Sequence, residues 1–491
     1  MPPNNSENPI RSNNYTQLPK ELYSTVAPEP VSAPALLVLN TALLGTYHLD
    51  EQWFQSPDAL AVLSGGNTNP ANPPIAMAYA GHQFGHRVPL LGDGRAHMLG
   101  QLDTAAGLID VQLKGSGRTP YSRGGDGRAT LASVLREHLV SEAMAGLNIP
   151  ATRSLAVIST GDAVYREHPE PGAILVRTAQ SHIRVGSFQL AASTGPDTVR
   201  ALAEYLLEHH YQEQHADDAP YAALLRAACV RQGRLIAQWM LCGFIHGVMN
   251  TDNMSLVGET IDFGPCAFMD EFNPDKVFSS IDKRGRYAWA EQPSMALWNL
   301  SRFAETLLPL LAPDTEAAIK IAERELGAFL PEFQQTFYGG LDKKLRLSNS
   351  TADAKRHKFA DSTLQMLGEQ TLDMTVFFDS LTQVAQGEPE SLLSQQFADK
   401  ASGEAWLHEW RNLAADHAES LIEMRQNNPA IIARNHQVEA ALAAAVEDNN
   451  LQPFTRLSEA LKTPSEISTE NHDLQVPPKL AERVTATFCG T

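Results

Sequence analysis

The sequence predicts an α+β protein in which a strand-rich half precedes a helix-rich half. Two patterns and the length carry that expectation. IDVQLK at 109–114 alternates Ile109, Val111 and Leu113 with Asp110, Gln112 and Lys114, the period-two mark of a strand with one buried face. Strand-like runs continue at 153–159, 163–166 and 173–178. Beyond Pro196 the apolar spacing turns helical, at 198–210, 221–231 and 234–247. At 491 residues the chain is too long for one small core.

That order is the order of a two-lobed, protein-kinase-like fold, with a strand-rich N-lobe, a helical C-lobe and nucleotide held in the cleft between them. The expected organisation is an N-terminal segment 1–74, loose before about Glu21 and then packed on the N-lobe; an N-lobe 75–188; a C-lobe 189–310 carrying the catalytic and metal-binding segment; and a helical extension 311–491. Within the extension, NNPAIIARNHQVEAAL at 427–442 has a Pro-bounded helix start. Nothing in it has catalytic spacing, and it reads as scaffold.

Composition narrows the function. Hydrophobic residues at 43% and charged residues at 19% are ordinary for a globular protein. A formal charge of −19 argues against a general nucleic-acid or anionic-membrane binder. Four scattered cysteines, Cys229, Cys242, Cys266 and Cys489, give no zinc pattern and suit a reducing compartment. The N-terminus has no apolar signal core, and the longest apolar run, near 235–249, is short and interrupted, so it reads as a buried helix. The expected state is a cytoplasmic monomer.

The densest chemistry lies in HGVMNTDNMSLVGETIDFG at 246–264. Its apolar runs 254–257 and 260–263 flank Gly258 and read as two short strands about a tight turn. Such a turn sets Asn253 across from Asp262, two oxygen donors suited to Mg²⁺ or a similar hard ion that completes its shell with phosphate and water. Asp252 would stand beside the metal, able to accept a proton from an incoming hydroxyl. This is the layout of phosphoryl transfer.

Upstream segments supply phosphate-binding groups. GDGR at 92–95 offers backbone amides around Gly92 and Gly94 and the charge of Arg95. The glycine-rich connector GSGRTPYSRGGDGR, 115–128, follows Lys114 and is basic within an acidic chain, a candidate triphosphate cradle although it lacks the P-loop Lys-Ser/Thr. A helix over 129–145 offers Glu137 and Glu142 as partners for Lys114. Glu137 is preferred because it lies off the apolar stripe. Arg177 and Arg184 border a strand and a turn, where paired guanidinium forks can clamp phosphates. His82 and His86, four apart, have the spacing of metal ligands on one helical turn, but their neighbours Gly81 and Gly85 suit a helix poorly and no third ligand follows.

Taken together, VQLKGSGRTPYSRGGDGRA, the REHLVSEAM helix, HGVMNTDNMS and IDFGP resemble the selenoprotein O family, from about Tyr79 to past Leu300. The resemblance implies a kinase fold without the usual His-Arg-Asp triplet that binds ATP in reversed orientation and transfers AMP to Ser, Thr or Tyr hydroxyls of proteins. It implies nucleotide contacts from Gly92, Gly94, Arg95, Lys114, Asp126, Gly127, Arg177, Arg184 and Asp262, with Glu137 paired to Lys114. Asp252 would be the base, and Asn253 and Asp262 would hold Mg²⁺ or Mn²⁺. Family members often carry selenocysteine or cysteine near the C-terminus, where this chain has Cys489, with Cys266 a possible redox partner. The competing expectations are a conventional ATP-dependent kinase and an ATP-binding pseudoenzyme scaffold; the joint presence of Lys114, Asp252, Asn253 and Asp262 weighs against the scaffold.

Overall fold

A computed structural model of the chain describes residues 8–68, 71–105 and 107–487. Cys489 therefore lies outside the described residues, and so does its pairing with Cys266. The first half of the chain builds a nine-stranded antiparallel sheet among the described residues. Its main path runs Tyr23–Thr25, Ile75–Met77, Ala96–Thr104, Gly107–Lys114, Pro169–Ala179, Arg153–Tyr165 and Ala35–Leu39. Ile10–Arg11 pairs with Ala96–Thr104, and Ala129–Thr130 with Pro169–Ala179.

Both faces of the sheet are covered. Leu43, Leu44, Trp53, Phe54 and Leu63 pack with Val111, Leu113, Leu155 and Ile174 on one side. On the other, Leu131, Val134 and Leu135 of the helix Leu131–Gly146 pack with Val157 and Leu175. The alternation at 109–114 is therefore real, but its polar face is buried too: Gln112 is 0% exposed and Asp110 6%. Asp110 meets Gln101 and His182, Gln112 meets Asp93 and Arg177, and Lys114 reaches a cleft.

Several boundaries differ from the sequence expectation for tertiary reasons. The runs 153–159 and 163–166 are one strand, Arg153–Tyr165, with a register shift between Ser159 and Ala163. The helices expected at 221–231 and 234–247 are one, Pro220–Leu241, followed by the short strand Phe244–Ile245 paired with Ala267–Phe268. Gln232, at the expected break, is buried and donates through Nε2 to the Ser255 carbonyl at 2.7 Å, so packing rather than propensity keeps that turn helical. Within residues 8–20, the described part of the stretch before Glu21, the chain packs on the sheet: Tyr15 is 2% exposed and meets Tyr23 and Tyr205 edge-on. The helix expected to start near Pro429 begins at Asn435, because Arg434 is fully buried in ion pairs with Asp270 and Asp373.

Helices dominate from Val185 onward, apart from irregular segments at 242–288 and 464–487. None among the described residues is long and apolar enough to cross a membrane.

Candidate active site

The segment 246–264 is not a hairpin. Thr251–Asn253 forms a 3-10 turn, and the two apolar runs pair with different neighbours. Ser255 bridges Arg184, and Thr260 bridges Ala151. Met254, Leu256, Val257, Ile261 and Phe263 are all buried, so each run spends its backbone groups on the element it packs against. His246 staples the two ends of this segment. Fully buried, its imidazole accepts from the Val248 N–H at Nδ1 (3.4 Å) and donates from Nε2 to the Ile261 carbonyl at 2.8 Å. Burial holds its pKa below the ordinary histidine value, so it is a neutral structural group. Asp262 follows directly, in the left-handed region at φ 64°, a conformation Asp and Asn tolerate better than most residues.

Register delivers the cations. Lys114 lies opposite Leu175, and Gln112 opposite Arg177, so Lys114, Gln112 and Arg177 share one face of the sheet. Lys114 Nζ lies 2.6 Å from Glu137 Oε2 and 2.7 Å from Asp262 Oδ1. Glu142, the competing partner, is taken by Arg153 at 2.6 Å. Arg177 Nη1 reaches Asp262 Oδ1 at 2.8 Å and Glu137 Oε1 at 3.2 Å. Arg184, immediately before the helix Val185–Thr194, reaches Asp262 Oδ2 at 3.3 Å and the Asp252 carbonyl at 2.9 Å. Burial alone would raise the Asp262 carboxyl, but Lys114, Arg177 and Arg184 together hold it well below the usual carboxylate range.

Asp252 has the opposite environment. Burial pushes its carboxyl up to about 6, with Arg184 and Gln83 only partly offsetting that. Gln83 Nε2 donates to its Oδ2 at 3.4 Å, while Oδ1 is buried without a hydrogen-bond partner. Asn253 Nδ2 donates to the Val248 carbonyl at 3.0 Å, which fixes the amide and leaves its oxygen as the acceptor.

These groups line a single cleft of about 810 Å³. Gly92, Gly94, Arg95, Lys114, Asp126, Gly127, Glu137, Arg177, Arg184, Asp252, Asn253 and Asp262 all border it. The glycines of GDGR have a packing role as well. Gly92 sits at φ 117°, and a Cβ there would lie 2.5 Å from the Tyr121 ring. The Asp93 N–H is already used on the Met77 carbonyl at 2.9 Å, so not every amide of the motif is free for a ligand. Asp126 is held by Arg166, at 2.8 Å. That hydrogen-bonded guanidinium keeps its carboxyl below the ordinary value. His82 and His86 stand on the two strands of a hairpin, Gly81–Gln83 and His86–Val88, not on a helix. Among the described residues no group of three or more His, Cys, Asp or Glu side chains is placed to hold a metal.

Sequence reasoning missed the hub beneath the site. Asp93 is 3% exposed and accepts from Tyr79 OH (3.3 Å) and Gln112 Nε2 (2.9 Å), with Arg184 Nη2 at 3.5 Å. Gln112 in turn accepts from Arg177 Nε at 3.1 Å. Asp93 thus orients both arginines; its place between two glycines, in a motif valued for amides and Arg95, was the available signal. The C-terminal wall was also missed: Glu439, Leu442, Val484 and Thr487 border the cleft, and the Thr487 N–H donates to the Phe278 carbonyl at 2.7 Å. No local pattern announces contacts across some two hundred residues.

A model of the family described as protein adenylyltransferase SelO matches residues 10–462. The chain is 51% identical to a protein nucleotidyltransferase YdiU of Shewanella denitrificans, over 98% of each chain. It is 48% identical to a protein of the same name from Rhodopseudomonas palustris, again over 98% of each, and 47% identical to one from Agrobacterium fabrum, over 98% of this chain and 99% of the relative. The chain belongs to the SelO family of protein adenylyltransferases.

Proposed function

We propose that this protein transfers AMP from ATP to Ser, Thr or Tyr hydroxyls of acceptor proteins, releasing pyrophosphate, in the cleft of a two-lobed kinase-like fold. The carrying observation is the convergence of Lys114, Arg177 and Arg184 on Asp262, in the same cleft as the partly unsatisfied carboxyl of Asp252. The three cations are shared with three carboxylates, Asp262, Glu137 and Asp93. The corner is thus close to neutral before a polyphosphate enters, and binding one calls for added positive charge.

A divalent cation meets that need and fits the donors. Asp262 Oδ2, hydrogen-bonded among the described residues to Arg184 alone, and the oriented Asn253 amide oxygen would hold Mg²⁺ or Mn²⁺, with phosphate and water completing the shell. When bound, the ion neutralises charge on the phosphates and the leaving group. Lys114, Arg177 and Arg184 bind and orient the polyphosphate, Arg95 and the Asp126–Gly127 turn border its far end, and Glu137 keeps Lys114 extended into the cleft. Asp252 takes the proton of the acceptor hydroxyl as its oxygen bonds to the α-phosphorus. The bond from that phosphorus to the bridging oxygen breaks, and the electron pair leaves with pyrophosphate. A carboxyl held near 6 is better matched to this step than one at an ordinary aspartate value.

ATP labelled at either the α- or the γ-phosphate decides the reaction. Label from the α position alone is expected on acceptor protein; transfer of γ label alone would make the protein a kinase, and ATP binding with no transfer of either would make it a scaffold. On the same reading the protein works as a cytoplasmic monomer on protein acceptors, not on nucleic acid.

A further inference from the structure

Directly after Phe263, the carbonyls of Gly264, Pro265 and Cys266 are each held by a side chain from elsewhere in the chain. Arg136 donates from Nε to the Gly264 carbonyl at 3.2 Å and from Nη2 to that of Cys266 at 2.7 Å. The Thr487 hydroxyl donates to the Pro265 carbonyl. On the other side of Asp262, the His246 imidazole donates to the Ile261 carbonyl at 2.8 Å. The backbone is thus gripped on both sides of a residue held at φ 64°, a conformation that persists outside glycine where the surroundings over-determine it.

Arg136 borders the cleft but is spent on the protein rather than on a ligand. It is 8% exposed. Its Nη1 donates to Glu439 Oε1 at 3.1 Å, and its Nη2 also reaches Asn435 Oδ1 at 3.3 Å. A planar guanidinium can meet two carbonyls, an amide and a carboxylate at once; a lysine ammonium, a point charge, cannot span them. The next residue, Glu137, holds Lys114 and Arg177. Adjacent residues of one helix therefore fix both parts of the Asp262 corner. Glu137 fixes two of the cations that meet the carboxylate, and Arg136 fixes the backbone that carries it.

The same guanidinium ties this corner to the C-terminal extension. Asn435 and Glu439 lie one turn apart on the helix Asn435–Glu447. Arg434, at the N-cap of that helix, is fully buried in ion pairs with Asp270 and Asp373. Two arginines distant in sequence thus hold the stretch 264–270. The helix Leu131–Gly146 also packs on the extension further along: the His138 ring lies 5.4 Å from that of Phe454, and no Cβ would fit between Gly146 and the Leu461 carbonyl. In kinase-like sites the helix bearing the ion-pair glutamate and the segment after Asp-Phe-Gly are the parts whose placement controls activity. Here both are fastened to the C-terminal helices.

We propose that Arg136 is a positioning residue for the divalent-cation site, holding the Asp262 backbone so that its carboxylate meets the ion, and that the docked helix Asn435–Glu447 holds Arg136 in turn. The extension is thereby part of the site and not only scaffold. The inference rests on the reading that gives Asp262 to the metal.

The test is binding of a fluorescent ATP analogue to the full protein, at rising Mg²⁺ and in EDTA. Arg136→Lys keeps the charge and loses the fork. It is expected to need roughly tenfold more Mg²⁺ for half-maximal binding, the effect of losing an outer partner of a metal ligand, with binding in EDTA within about twofold of wild type. Glu439→Ala, at a half-exposed side chain, should shift the Mg²⁺ requirement in the same direction by a smaller factor, and it decides alone if Arg136→Lys does not fold. An unchanged Mg²⁺ requirement in either variant, or weakening that is equal with and without the ion, would overturn the proposal. Asp262→Asn, measured alongside, separates the outcomes. If it keeps the wild-type Mg²⁺ requirement, the metal reading of Asp262 fails and the proposal with it; a shift there without one in Arg136→Lys removes the role of Arg136 alone.

Discussion

Two aspartates in one cleft have been given opposite chemistry by their neighbours. Asp262 is surrounded by Lys114, Arg177 and Arg184 and is held ionised far below the usual carboxylate range. Asp252 is more deeply buried, has no side-chain cation within ion-pair distance among the described residues, and is pushed up to about 6. The contrast teaches that burial alone does not set a carboxyl's role; the number of cations that share its burial does. A permanently ionised carboxylate is suited to hold charge, and one that titrates near 6 is suited to move a proton.

Substitutions can break that division of labour. The largest effect is expected from Asp262→Asn, which leaves three cations without their shared carboxylate and removes the proposed metal ligand. AMP transfer should fall roughly 10³-fold or more, with nucleotide affinity falling too. Asp252→Asn should lower kcat by about 10²–10⁴-fold while ATP binding, followed by titration calorimetry, stays close to wild type. Asp93→Asn should act through Arg177 and Arg184 rather than on the reacting atoms. It should raise KM for ATP by about tenfold, the loss of roughly 1.4 kcal/mol, with a smaller change in kcat.

The finest test of the contrast is pH. Asp252 must be deprotonated to accept a proton, so activity should be present above about pH 6 and be lost as pH falls through it. The Gln83 hydrogen bond favours the ionised form, so Gln83→Leu should move that acidic limb to higher pH, by less than one unit. A limb that moves to lower pH, or does not move, would show that Gln83 does not hold the base.

Much of this cleft was legible in the sequence, for identifiable reasons. The alternation at 109–114 put Lys114 on the polar face of a strand, and Glu137 off the apolar stripe of the next helix is the residue that meets it. What was hidden depended on partners far along the chain. The 246–264 segment looks like a hairpin because its two apolar runs flank Gly258. Yet Ser255 and Thr260 pair with Arg184 and Ala151, and only tertiary structure reveals a strand-like run that pairs elsewhere. Asp93 was overlooked because a buried aspartate in a Gly-rich turn resembles a solvated one until Gln112, Tyr79 and Arg184 are seen around it. Glu439 and Thr487 reach the cleft from segments that read as scaffold.

The division between the two carboxylates is tested most directly by titrating ATP with Mg²⁺ into Asp252→Asn and Asp262→Asn side by side. The account predicts that Asp252→Asn binds within about twofold of wild type and Asp262→Asn roughly tenfold or more weakly. Weaker binding by Asp252→Asn than by Asp262→Asn would contradict it.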